Sequence, residues 1–596
     1  MQRVMFPVPR RVKVERAPVA LAGAAWVILP PGCSGRLRAR VQEGVRRLAL
    51  ALNVPMRLSA VKPQAGETLL ALSLQDGRIP DQGYDLILTD RQRELHASSE
   101  AGLFYGFGAF VQWIEACGIR PPAVRITDAP DFAARGVMLD VSRCKVPTMA
   151  TCKQLIDQLA GLRINQLQLY IEHTFAFSAH QTVWHDASPF THEEILELDE
   201  YCADRFIELV PNLNSFGHFQ RWLRHPEYRH LSECPDVEWC STLAPNGASL
   251  RLIESLYDEY LPHFRSGLFN VGCDETWELG KGRSKARAAK TSTTRVYVDF
   301  LKKIHKRVQE RGRRMQFWGD IILHEPALIK ALPKDILPLC WGYEADHPYD
   351  TQCRAFAEAG VEFHVCPGTG AWQSITGRTD NCLGNLENAA WHGLKYGATG
   401  YLNTDWGDGG HHQVLPISYV GYAAGAAYSW NGKATSDADL AGAISRHFFE
   451  DASGVLGQFL LDVGRTLNRV PGLKRRNCSA IHQMLFWSPQ RLDLGKVTEA
   501  QFTRAAAWLD KLESLLPSAR PQCEDREIVL HELRHTVAMS RYALQRGQAI
   551  RAGQTADKAL LQLLQGVVMS HEGQWLARNR RGGLHESSTI LRETPC

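Results

Sequence analysis

Between residues 134 and 430 the apolar positions alternate between two rhythms. Short continuous runs of strand length fall at 136–140, 166–172, 207–213, 268–274, 315–320, 337–341, 362–366 and 399–404. Segments of helical period fill the gaps, among them 150–162, 193–204 and 294–311. The second of these starts with a capping box, Thr191 followed by Glu194. Eight strands alternating with helices predict a (β/α)8 TIM barrel, with a doubly wound open sheet as the alternative. Upstream, strands at 25–29, 68–74 and 84–89 and a helix over 36–52 read as a small α/β unit. Downstream the strand rhythm stops, and 440–449, 455–468, 499–516, 525–547 and 555–571 carry only helical period. The expected organisation is a small α/β domain over 1–130, a barrel over 131–432 and an α-helical domain over 433–596. The helix carrying Gly102, Gly106 and Gly108 reads as close packing on a sheet in preference to a phosphate loop.

Composition narrows the function. The 68 basic and 64 acidic residues leave a net charge of +4, too little to draw the chain to nucleic acid or anionic lipid. The longest apolar runs, such as 19–29, fall short of the roughly 20 residues a membrane span needs. Arg10, Arg11, Lys13 and Arg16 precede that run in the manner of a secretory leader, but strand, turn and helix fit it at least as well. Fifteen cysteines with no CxxC pair read as reduced thiols of a cytoplasmic protein. No metal, phosphate-loop or dinucleotide motif stands out. No cofactor is expected, and a homodimer is left open.

In a barrel the chemistry sits at the C-terminal ends of the strands. Those ends carry Asp140 and Arg143, Glu172, His218, Asp274-Glu275, Trp318 and Asp320, Trp341 with Tyr343, and Trp406 with Asp408. Any one acid could be a helix cap. Carboxylates gathered with tryptophans suggest a carbohydrate site, because flat rings stack on sugar faces while carboxylates bind hydroxyls. Ten of the fifteen tryptophans lie between Trp184 and Trp430, less than half of the chain. Trp391 and Trp430 fall within helices and read as core.

Two strings carry a family resemblance. Ala134-Arg135-Gly136-Val137-Met138-Leu139-Asp140-Val141-Ser142-Arg143 and Val271-Gly272-Cys273-Asp274-Glu275-Thr276 resemble the family 20 glycoside hydrolases, the β-N-acetylhexosaminidases. Leu167–Glu172 and the segment Trp341-Gly342-Tyr343-Glu344-Ala345-Asp346-His347-Pro348 resemble a bacterial branch with a helical third domain. The resemblance implies exo-hydrolysis of terminal β-linked GlcNAc, with GalNAc as the alternative, by a retaining mechanism. In it the sugar's own 2-acetamido oxygen attacks and forms an oxazolinium ion. It implies Glu275 as general acid/base and Asp274 as the group that polarises the acetamide. It makes Arg135 the first-strand arginine on the C3 and C4 hydroxyls, and His218 an orienter of the acid. Trp318 and Trp341 fall around the acetamide methyl, and Trp406 and Asp408 form a wall near O4 or O6. Two departures stand out. Glu172-His173 replaces a pair of aspartates, and no tyrosine follows the seventh strand. Tyr343 is the expected replacement for that tyrosine, with Trp372 lining the site. Adjacent strand residues point to opposite faces, so the backbone must turn at 274–275 to bring both acids inward. The competing readings are a barrel glycosidase with a covalent carboxylate nucleophile and a non-catalytic glycan binder. The basic segment 575–584 is expected to dock the helical domain, the alternative being a reach into a neighbouring subunit's site.

Overall fold

The structure is a computed structural model that describes every residue except 1–3, 22–23, 62–66, 76, 433–439, 472, 474–475 and 595–596. The N-terminal domain is a mixed sheet of seven strands. These are β1 (Arg11–Pro18), β2 (Ala24–Ile28), β3 (Arg57–Ser59), β4 (Glu67–Leu74), β5 (Tyr84–Leu88), β6 (Arg93–Ala97) and β7 (Pro122–Asp128). They lie in the order β1-β7-β5-β6-β4-β2-β3. Of the seven, β1, β3, β6 and β7 were not among the expected strands; β6 and β7 lie inside the sheet, and the other two are its edges. β1 is an edge strand, largely exposed and carrying Arg11, Lys13 and Glu15. β3, the opposite edge, is three residues long. Helix Glu100–Cys117, capped by Ser99, lies on this sheet. A Cβ on Gly102 would come 2.3 Å from the Gly83 carbonyl oxygen, and one on Gly106 2.5 Å from Leu95. Those two glycines serve close packing.

Eight parallel strands follow: β8 (Ala134–Asp140), β9 (Gln166–Tyr170), β10 (Glu208–Val210), β11 (Leu268–Asn270), β12 (Arg314–Trp318), β13 (Leu337–Trp341), β14 (His364–Cys366) and β15 (Gly400–Asp405). β15 pairs with β8, and the bridge Asn212–Asn270 joins the chain after β10 to β11, so the sheet closes into a barrel. β10 and β11 end earlier than their apolar runs; after β11 the chain turns into the left-handed region at Gly272 and Cys273. An amide layer fills part of the interior. Gln168 Oε1 accepts from Asn212 and Asn270, and Gln168 Nε2 donates to Gln316.

The last domain is helical among its described residues, with Arg526–Arg551 and Lys558–Arg578 its longest helices. The basic segment docks it onto the barrel of the same chain. The Arg580 backbone N–H donates to Val146 O and its guanidinium reaches Pro189 O and Glu194, while within the helical domain Arg578 donates two buried hydrogen bonds to Glu532. Trp430 is core, as expected. Trp391 is not: its ring is 67% exposed on helix Thr379–Lys395.

Candidate active site

The site is built around a strained turn after β11. Gly272, Cys273 and Glu275 have φ of 65°, 69° and 45°, a region costing a non-glycine residue about 1–3 kcal/mol. A Cβ on Gly217 would sit 2.1 Å from the Asp274 carbonyl oxygen, so the two loops can touch only with glycine there. The Glu275 backbone N–H points at Asp320, 3.4 Å away. The turn brings both acids to one histidine. His218 Nε2 lies 3.1 Å from Asp274 Oδ2 and 3.7 Å from Glu275 Oε2. Asp274 is buried and its Oδ1 has no partner, while the Glu275 side chain is 35% exposed at the pocket.

Burial, helped by the Asp274 charge, raises the Glu275 carboxyl above its ordinary value. Burial opposes a charge on His218, but Asp274 overcomes it and lifts the ring to about 9. Burial and the same aspartate hold Asp320 well above the usual carboxylate range. The result is a Glu275 carboxyl that holds its proton more tightly than usual, beside a His218 ring that keeps its charge against Asp274. His218, Asp274 and Glu275 are also the one trio of His, Cys, Asp and Glu groups among the described residues close enough to share a metal ion, within 4.8 Å.

Opposite the acids stand aromatic rings. Trp341 stacks on Tyr343 (5.1 Å), Tyr343 meets Trp372 edge-on (5.0 Å), and the Tyr343 hydroxyl accepts from Trp406 Nε1 at 2.8 Å. The indole N–H groups of Trp318 and Trp372 are buried without partners, as is Asp274 Oδ1. Orphaned buried donors and an orphaned acceptor in one place are what a bound polar ligand would satisfy. The pocket encloses about 270 Å³. Its rim is completed by the helical domain: Arg476 and Asn477 line it, and the Asn477 N–H donates to Glu344, which Arg378 also grips with two bonds. An acid, a carboxyl–imidazole orienting pair and an aromatic box of this size can protonate a leaving oxygen while holding one polar ring.

Sequence models of glycosyl hydrolase family 20 match this chain twice, the catalytic domain over residues 132–373 and domain 2 over residues 3–129. The chain belongs to glycosyl hydrolase family 20. Among curated proteins it is similar to a β-hexosaminidase of Akkermansia muciniphila, 25% identical over 306 residues. That match spans 45% of this chain and 62% of that protein. It is also similar to a lacto-N-biosidase of Bifidobacterium bifidum, 22% identical over 52% of this chain and 28% of that protein. The chain thus spans less than two thirds of either relative. A Flavobacterium johnsoniae chitobiase structure has the same fold over 99% of both chains, at a TM-score of 0.63 and 16% identity. A mutant Streptomyces plicatus β-hexosaminidase in complex with product GlcNAc aligns over 76% of this chain and 95% of that one, at a TM-score of 0.58 and 18% identity.

In this family 20 chain the expected residues fall into three groups. Asp274, Glu275, His218, Trp341, Tyr343, Trp406 and Asp408 line the pocket. Trp318 and Trp372 lie in the aromatic cluster beneath it, and Glu172 lies behind Arg143. Arg135 is the exception and is corrected. It sits at the start of β8, at the base of the barrel, 1% exposed, with its guanidinium bonded to Gln82 and to the carbonyls of Phe132, Ala133 and Arg163. The arginine in the pocket is Arg143, just beyond the other end of the strand. It bridges Asp140 (3.1 Å) and Glu172 (3.2 Å) and lies over the rings of Tyr170 and Trp406. The signal for it was the barrel rule itself, which favours residues after a strand over those before it. Arg476 and Asn477 carried no signal, since they lie 68 and 69 residues beyond Asp408, the last strand-end acid, and reach the rim only through domain packing.

Proposed function

We propose that this protein is an exo-acting β-N-acetylhexosaminidase that removes terminal β-linked GlcNAc, or GalNAc, from glycans with retention. The observation that carries the reading is the Asp274–Glu275 turn. Both carboxylates address the same nitrogen of His218, so they stand on one side of the pocket. A double displacement with a protein nucleophile needs its two carboxyls on opposite faces of the sugar; a substrate-assisted one needs an acid and a carboxylate beside the acetamide. Glu275, with its raised pKa, is the acid that protonates the leaving oxygen and later deprotonates water. The unpartnered Asp274 Oδ1 is placed to take the acetamide N–H and to stabilise the charge that develops as the acetamide oxygen attacks. Trp318, Trp341 and Trp372 enclose the methyl, and Tyr343 offers a hydroxyl to the acetamide oxygen. Arg143 and Asp408 take the hydroxyls at the far side of the ring. A pocket of about 270 Å³ suits one terminal sugar. Residence in a reducing compartment, the cytoplasm, belongs to the same proposal, supported by the lack of any disulfide among the described cysteines.

The test is a panel of aryl glycosides. Aryl 2-acetamido-β-glucosides should turn over and plain β-glucosides should be inert at saturation, with a thiazoline mimic of the intermediate binding more tightly than GlcNAc. A 2-deoxy-2-fluoro glycoside should leave the intact mass unchanged. A covalent adduct on any Asp or Glu would replace this mechanism with the covalent one.

A further inference from the structure

A second cavity, of about 160 Å³, opens where all three domains meet, far from the acid pair. One wall is a single face of helix Gly35–Leu52, presenting Arg40, Glu43, Gly44 and Arg47. The others come from helix Glu100–Cys117, from the barrel with Asp157, Gly161, Arg163 and Arg205, and from the helical domain with His447. Gly108 belongs here. Unlike Gly102 and Gly106, which pack on the sheet, a Cβ on Gly108 would meet nothing within 4 Å, and the same holds for Gly161.

The chemistry of the lining is lopsided. The acceptors are already in use: Asp157 takes Arg205 and the Tyr201 hydroxyl, Glu43 takes Arg40, and Asp128 and Glu115, just outside, take Arg163 and Arg47. Donors remain. Arg163 is 3% exposed, held between the rings of Tyr84 and Trp430, and its Nη2 has no partner; the buried Nε of Arg40 has none either. A buried guanidinium N–H left unmade is costly, and such a group calls for an acceptor. His447 reports the sign of the local field. Burial, with Arg446, Arg47 and Arg163 all acting the same way, pushes its ring down to about 3.

We propose that this cavity is a binding site for a small tetrahedral oxyanion, either free inorganic phosphate or the phosphoryl group of a sugar phosphate. Guanidinium groups match phosphate oxygens in geometry as well as charge. Because the walls come from three domains, the anion cross-braces them and stabilises the folded chain in proportion to its occupancy.

The experiment uses the full chain. Thermal unfolding and calorimetric titration are run with inorganic phosphate, with a hexosamine 6-phosphate and with the unphosphorylated hexosamine, at ionic strength held constant with chloride. The phosphorylated probes should raise the Tm in a saturable way. Gly108→Leu fills the cavity from a position where a side chain meets no neighbour, and leucine favours a helix interior. That variant should lose the response while its turnover of an aryl glycoside stays at the wild-type level. Arg40→Gln with Arg47→Gln should weaken binding at least tenfold. A sugar phosphate that binds at least tenfold more tightly than phosphate identifies the phosphoryl source; equal affinities identify the free ion. No saturable response in the wild type, or an equal response in Gly108→Leu, overturns the proposal.

Discussion

Two arginines mark the two ends of β8, Arg135 buried and Arg143 partly exposed, and they differ in what answers them. Arg135 lies over Tyr105 and Trp430, and Arg143 over Tyr170 and Trp406, so each sits on a pair of aromatic faces. Arg135 spends its donors on main-chain carbonyls and one amide at the base of the barrel. Neutral acceptors satisfy it completely and leave nothing for a ligand. Arg143 faces the carboxylates of Asp140 and Glu172 and approaches His218 at 3.5 Å, at the pocket wall. Its charge is set against other charges that a substrate can reorganise. The same side chain is therefore a rivet at one end of a strand and part of an electrostatic ensemble at the other.

The largest effect expected at the pocket end is from Glu275→Gln. General acid catalysis contributes about 10²–10⁴-fold, and that loss should appear with poor leaving groups and shrink with activated aryl ones. Equal losses along a leaving-group series would remove Glu275 from the acid role. Arg143→Ala should lower kcat/KM by about 10–100-fold, the value of a hydrogen bond to a charged partner, with a smaller change in Tm than Arg135→Ala causes. Arg135→Ala should do the reverse. It orphans several buried carbonyls at about 1–3 kcal/mol each, so the Tm falls while the folded fraction keeps its kcat/KM. If Arg135→Ala instead lost activity at an unchanged Tm, the contrast between the two ends would collapse.

The packing of the third domain makes an acid-sensitive seam. His412 and His571 sit where barrel meets helices, with His482 and His535 beside them. Burial lowers all four, His412 to about 4, His482 and His535 to about 3, and His571 well below its ordinary value. The unfolded chain binds those protons near pH 6.5 and the folded chain does not. Stability is therefore full above about pH 6.5 and declines as the pH falls toward 4. Melting curves between pH 7 and 4.5 should show it, and a flat Tm would mean the seam opens to water. The smallest expected effect is a shift in a pH profile. Loss of the Glu275 proton sets the alkaline limb of kcat/KM, and Asp274 helps to raise that pKa. Asp274→Asn should move the limb to lower pH, in addition to reducing kcat.

Much of this was legible in one dimension, because periodicity is a local property. A strand buried on both faces must be an apolar run, and a helix on a barrel must be amphipathic, so all eight barrel strands left a trace, as did the Thr191 capping box. Edge strands such as β1 left none, since solvent asks nothing of their side chains. The acids were legible because a pair such as Asp274-Glu275 at a strand end has few structural uses.

The amino-acid sequence by itself determined the alternation of strands and helices in the barrel, the helical character of the last region and the adjacency of Asp274 and Glu275. Those depend on neighbours in the chain. Only the tertiary structure decided which arginine of Arg135 and Arg143 reaches the pocket, for both flank the same strand and differ in direction along it. Only it placed Asn477 on the rim and four arginines around one cavity, because those contacts join residues hundreds of positions apart. Their energies come from burial and charge pairing, and neither exists until the domains have packed.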